Sequence, residues 1–258
     1  IVLFGDYWFA RPEPLPSSAL VELLTIFEIT EGSARAAIQR LARRKFLITH
    51  RLGRQTAYSV HAIGRESLEK YISRLFLAHL PREWDGTWTV LTYGSFGAPT
   101  PNIRLIQDGL KTLTFGRLNE ALWIKPGRHS AELAQWFTEL PTEAAEAITY
   151  FERANLNDSH AIEKVRLAFQ VDQYDQRCRE FHSYWSAEAE KIGGSWPEGH
   201  EAVRLRTRIM SEWRALIRDN PQLPAEMISG RSPVEDAAAI CAHFYDGLGD
   251  SSAQVVRD

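Results

Sequence analysis

The sequence predicts an α+β chain in three parts: an N-terminal winged helix-turn-helix, a central α+β domain and a helical C-terminal domain. Three observations carry this. Apolar residues recur at helical spacing up to residue 44 and give way to two β-rich runs around a glycine. Strands and helices alternate from residue 87 to residue 151. Long amphipathic helical patterns dominate the remainder. The corresponding boundaries are 1–79, 80–155 and 156–258.

In the first part, Val2–Phe9 reads as a short apolar helix. It is broken by Arg11-Pro-Glu-Pro-Leu-Pro-Ser-Ser18, since three prolines cannot continue a helical ladder. Ser17 or Ser18 caps a second helix over Ala19–Phe27, and Thr30 caps a third over Glu31–Arg44. At about 100° per residue, Ala34, Ala37, Ile38 and Leu41 fall on one face of that third helix. Arg35, Ala36, Gln39, Arg40 and Arg43 fall on the other. Arg donates bidentately to guanine and Gln pairs with adenine in a groove that admits a helix, and the small Ala36 allows close approach. Phe46–His50 and Thr56–Val60 read as strands of a hairpin, with Arg51-Leu-Gly-Arg54 at the tip. Arg35, Gln39 and Arg40 are expected to read bases and Arg43, Arg44, Arg51 and Arg54 mainly to hold phosphates; Ser33, Ala36 and Gln55 complete the candidate DNA-contacting set.

Charge supports this reading. The chain of 258 residues has a formal charge of −3, yet residues 1–77 hold eleven Lys/Arg against seven Asp/Glu, while the rest holds nineteen against twenty-six. Between Thr30 and Val60, Arg35, Arg40, Arg43, Arg44, Lys45, Arg51 and Arg54 face only Glu31. A basic cluster within an acidic chain is the footprint expected of phosphate contact. The alternative is a winged-helix adaptor that binds proteins without specific DNA recognition.

His61–Ala78 reads as a long helix whose Leu68, Tyr71, Ile72, Leu75 and Phe76 offer a dimerisation face. Strands are then expected at Thr87–Tyr93, Ala121–Ile124 and Glu146–Phe151, with helices over Pro101–Thr114 and Ala131–Leu140 on one face of the sheet. Asp158 is placed as a cap, Gln173–Lys191 as a helix and Gly193–Gly199 as a loop. In the amphipathic helix that follows, Ala202, Leu205, Ile209, Met210, Trp213, Leu216 and Ile217 share a face. Arg206 sits in the middle of it, where an unpaired charge is costly, so it needs either an acidic partner or a ligand anion. Most of the eight tryptophans are expected in the core.

No Gly-rich phosphate loop, His-Glu-x-x-His, nucleophile elbow or metal-spaced Cys/His set occurs, so neither an enzyme nor a cofactor is expected. Cys178 and Cys241 fit no disulfide framework. The chain has no apolar run of membrane-spanning length, and a cytoplasmic location is expected. It begins at Ile1, so further residues are expected upstream.

Several stretches together resemble the PaaX family of phenylacetate-pathway repressors. They are Leu3-Phe-Gly-Asp-Tyr7, Ser33-Ala-Arg-Ala-Ala-Ile-Gln-Arg-Leu-Ala-Arg43, Leu52-Gly-Arg-Gln-Thr-Ala-Tyr58, Trp84-Asp-Gly-Thr-Trp-Thr-Val90, Leu122-Trp-Ile-Lys-Pro126 and Arg218-Asp-Asn-Pro-Gln-Leu-Pro-Ala225. The likeness implies that the central domain is ferredoxin-like. It also implies a homodimer that represses an aromatic-catabolic operon at a double-stranded DNA operator and is released by an aromatic acyl-coenzyme A thioester or related effector. Arg206, Trp213, Arg214 and Arg218 are the candidate effector-binding residues, Arg214 matching a family arginine. The chain departs from the family at Met227-Ile-Ser-Gly-Arg-Ser-Pro-Val234, and at Lys45-Phe46, where the family often has a glycine and an aromatic residue. Some ferredoxin-like domains are nucleases with an Asp closing the first strand; Tyr93-Gly-Ser-Phe96 carries no acid there.

Overall fold

The computed structural model describes residues 3–8, 13–61, 75, 80, 83–94, 102–157, 160–228 and 231–257. The expected dimerisation helix over His61–Ala78 and the Asp158 cap fall almost wholly outside these residues. Within that stretch only His61 and Leu75 are described, Leu75 as helical and buried. Internal contacts divide the chain into two units. One comprises residues 1–79, 180–218 and 236–258, the other residues 80–179 and 219–235. The described residues form an α+β fold with two antiparallel sheets.

In the first unit the N-terminal apolar stretch forms a π-helical turn, Phe4–Trp8, rather than a regular helix. It is followed by β1 (Leu15–Pro16), α1 (Ser17–Thr25), α2 (Glu31–Arg43), β2 (Leu47–Leu52) and β3 (Gln55–Val60). Pro16 precedes α1 because it lacks the N–H that a helix start would leave unsatisfied. The strands pair in the order β1-β3-β2. Ala34 and Ile38, one turn apart on α2, meet Leu20 and Val21 of α1 with Phe4, Leu15, Leu47 and Tyr58. A second face of α1, Leu23 with Ile26 just beyond, packs with Tyr7, Val203 and Val256. This face draws the C-terminal helices into the same unit.

Those helices are the C-terminal half of α7 (Val171–Ile192), α8 (Gly199–Arg218), α9 (Pro233–Gly247) and α10 (Gly249–Arg257). Aromatic rings knit them together: Trp185 meets Phe244 edge-on at 4.9 Å between centroids, and Phe181 meets Trp213 at 5.9 Å. The indole N–H of Trp185 donates to Glu212 at 2.9 Å. Trp88, Trp123, Trp136, Trp185 and Trp213 are all buried, so these indoles are core residues.

The second unit is built on β4 (Trp88–Tyr93), β5 (Gly116–Arg117), β6 (Leu122–Pro126) and β7 (Ile148–Ala154), in the order β5-β6-β4-β7. The helices α3 (Ile103–Thr112), α4 (Ser130–Glu139) and α5 (Thr142–Glu146) intervene. Alternation along the strands sorts the side chains. Leu91, Tyr93 and Trp123 pack with Ile106, Leu110, Leu133 and Trp136 of α3 and α4. On the opposite face, Trp88 and Ile124 pack with Val165 of α6 (Ala161–Ala168), Val171 and Leu223. Helices α3 and α4 share one face of the sheet, as expected, and α6 with the segments around Val171 and Leu223 covers the other.

Candidate nucleic-acid interface

Helix α2 starts where Thr30 leaves the helical conformation and its hydroxyl accepts the Ser33 N–H at 3.3 Å. It stops in a Schellman turn: the Phe46 N–H donates to the Leu41 carbonyl and the Lys45 N–H to that of Ala42. That turn needs a left-handed residue, and Lys45 supplies it at φ 55°, where glycine is usual. The helix is thus fixed at both ends and anchored through the buried Ala34 and Ile38.

The opposite side is open. Ser33, Arg35, Ala36, Gln39, Arg40 and Arg43 are all exposed, as is Arg44 at the cap. Arg35 pairs with Glu31 at 3.1 Å, both side chains more than half exposed. Such a pair is worth about 0–1 kcal/mol, so a phosphate displaces it at little cost. Beside α2 the hairpin turns more tightly than expected: Leu52 pairs with Gln55, leaving only Gly53 and Arg54 between the strands. Gly53 takes φ 62° at the first turn position, which suits glycine. Arg51, Arg54 and Gln55 are exposed, while Ala57 and Tyr58 on β3 are buried, and Tyr58 packs the hairpin against α1 and α2. His50 and Ser59 side chains meet at 2.7 Å across it.

Every residue in the candidate DNA-contacting set is therefore solvent-facing, on one helix and the hairpin next to it. Lys45 is absent from that set, yet it is exposed and lies between the two elements. Its departure from glycine was the available signal.

The candidate effector residues have a different character. On α8, Arg206, Trp213 and Arg214 are buried and Arg218 is exposed. The Arg214 guanidinium donates to Asp6 at 3.0 Å, with both side chains no more than 6% exposed. Burial pushes the Asp6 carboxyl up to about 6, against the pull of Arg214 and Arg206. Arg206 donates to the Tyr245 carbonyl at 3.0 Å, stacks 3.6 Å from the centre of that ring and lies 5.1 Å from that of Tyr7. The buried cation is thus held by a backbone oxygen and aromatic faces, with Asp6 in its field. The Trp213 indole N–H donates to the Leu75 carbonyl at 3.3 Å. Nearby, Arg204 donates to the Ile26 carbonyl just past α1 at 2.7 Å. Asp6 was not legible as a partner, since 208 residues separate it from Arg214.

Residues 1–63 match the model of the PaaX-like protein family, and residues 167–258 match that of the PaaX-like protein C-terminal domain. The transcriptional repressor PaaX of Escherichia coli K12 is 23% identical over 262 residues, covering 99% of this chain and 81% of its own. The uncharacterized protein Rv0674 from Mycobacterium tuberculosis shares the fold, with a TM-score of 0.64 over 98% of this chain and 97% of its own, at 16% identity. The two family models, at the two ends of the chain, and a relative aligned along nearly its whole length lead to one assignment: this chain belongs to the PaaX-like family and is a transcriptional regulator, not an enzyme.

Proposed function

We propose that the protein is a repressor that binds operator DNA through a winged helix-turn-helix formed by α1, α2 and the β2–β3 hairpin. The observation that carries this reading is the solvent-facing row Arg35, Ala36, Gln39, Arg40 and Arg43 on a helix whose other face is buried. Arg35, Gln39 and Arg40 read base edges, with Ser33 and Ala36 close to the groove floor. Arg43, Arg44, Arg51, Arg54 and Gln55 hold the backbone. The central sheet, with strand order β5-β6-β4-β7, supports a ferredoxin-like domain over residues 80–155, and residues 156–258 form the helical effector part. Acting on DNA, the protein works in the cytoplasm.

One such unit covers a half-site, so the active form is a homodimer on an imperfect palindrome. Because the described part of the linker helix, Leu75, is buried in its own chain, the C-terminal helices are the better candidate interface. The operon concerned is one for aromatic catabolism, and the inducer is an aromatic acyl-coenzyme A thioester or a related aromatic effector. Arg206, Trp213, Arg214 and Arg218 are the proposed effector residues. Because Arg214 holds Asp6, an anionic ligand competing for it loosens the segment preceding α1. Coupling of this kind acts only through differential affinity for the two states.

The test is selection of duplex DNA from a random pool, followed by titration at several salt concentrations. Arg40→Ala is expected to cost about 1–3 kcal/mol and relax the preference at one base position. Arg54→Ala is expected to weaken all sequences alike and make the log–log salt slope shallower by roughly one unit. A protein that selects no sequence, or two variants that bind as the parent does, would contradict the proposal.

A further inference from the structure

We infer that the tip of the β2–β3 hairpin enters the minor groove of duplex DNA, where Leu52 is an apolar wedge that opens a base step and bends the operator. This role for the hairpin rests on the proposed binding of α2 to DNA and adds a contact that cations alone do not make.

Exposure singles the residue out. At the start of β2, Leu47 is 3% exposed and belongs to the cluster of Ile38 and Tyr58. At the end of the same strand, Leu52 is 53% exposed. A lone exposed leucine is ordinary on a protein surface. This one is set among cations, since Arg51 precedes it, Arg54 follows across Gly53, and both are exposed.

The register fixes where these side chains lie. Leu52 pairs with Gln55, and Arg51 with Thr56. Successive residues of a strand alternate between faces, so Leu52 and Gln55 share one face of the tip and Arg51 and Thr56 the other. Thr49 pairs with the buried Tyr58, which makes the face of Arg51 the one turned toward α1 and α2. Arg54 stands in the turn itself. The tip therefore offers an apolar side chain with a guanidinium on either side of it along the chain.

The tip is also stiff. Only Gly53 and Arg54 make the turn, with Gly53 at φ 62°. Two residues back from Leu52, on its own face, the His50 side chain is braced diagonally by Ser59 at 2.7 Å. A support ordered beforehand leaves little more than the leucine rotamer to be fixed on binding.

The chemistry selects the groove. Phosphates give a leucine nothing to pack against, whereas base and sugar surfaces do. With α2 in the major groove, the hairpin beside it reaches the neighbouring minor groove. Proteins that bind there combine arginines with apolar wedges, leucine among them, which part a base step and kink the duplex toward the major groove. Arg51 and Arg54 hold the phosphates flanking the point of entry, and the Leu52 methyls leave water against the parted bases. A kink in that direction closes the duplex around α2.

The experiment uses the whole chain and the duplex it selects from a random pool, with the bend read by energy transfer between the labelled DNA ends. The parent is expected to bend that duplex by at least about 20°. Leu52→Ala should lose most of the bend and bind about tenfold more weakly. It should melt as the parent does, because the side chain is exposed. Leu52→Lys should lose the bend as well; tighter binding with an undiminished bend would place the tip along the phosphates and overturn the inference. A selected duplex that stays straight, or a bend that survives Leu52→Ala, also overturns it while leaving recognition by α2 intact. A protein that selects no duplex overturns both readings.

Discussion

Asp6 and Arg214 form an ion pair at 3.0 Å that is almost wholly out of water. Removing one member leaves the other charge buried, so Asp6→Ala is expected to lower stability by about 3–5 kcal/mol, measured by chemical denaturation. A smaller loss would mean that water or another group relieves Arg214. A second ionic cluster reports through pH. Burial works to raise the Glu132 carboxyl, but the hydrogen bonds from His129 and Lys125 prevail and leave it lowered to about 2. A depressed carboxyl stabilises the fold fully above its unfolded value of 4.5, and the contribution fades as pH falls toward 2. Melting temperatures of the parent and Glu132→Gln should therefore differ most above pH 4.5 and converge toward pH 2. The sequence marked Arg206 as a cation within an apolar face but could not supply its partners, Tyr245 and Tyr7. Those contacts exist only after α9 and the N-terminal turn have folded against α8.

At the scale of elements, α2 was legible because its caps, apolar spacing and basic face all agree. Its C-terminal turn holds a testable compromise. Lys45→Gly should stabilise the protein by about 1 kcal/mol by relieving the left-handed backbone. It should also weaken DNA binding, because it removes an exposed charge between α2 and the hairpin. A variant that gains stability with undiminished affinity would show that Lys45 makes no phosphate contact. Helix α3 makes the opposite point about glycine. Gly109 lies inside it, where alanine is favoured by about 1 kcal/mol on propensity alone. Yet a Cβ there would come within 2.6 Å of the Trp136 ring. Because that indole is buried in the core, Gly109→Ala is expected to destabilise by about 1–3 kcal/mol, the reverse of the propensity. The short β5 and α5 were not legible in the sequence. Each is too brief for periodicity to register, and neighbouring elements hold it in place.

For the whole molecule, assembly and ligand control belong to the proposed repressor. Light scattering at micromolar concentration should report a dimer, and two protomers should occupy one selected operator duplex. A chain that remains monomeric free and on DNA would contradict that part of the proposal. What the sequence by itself determined is local: the capped basic helix, the Gly53 hairpin, the alternating strands of the sheet and the amphipathic course of α8. Each follows from propensity and periodicity over one or two dozen residues. Tertiary structure alone decided which distant residues meet. Asp6 reached Arg214, and the segments around Val165 and Leu223 closed the second face of the sheet. Such contacts depend on chain closures spanning tens to hundreds of residues, and local preference carries no information about them.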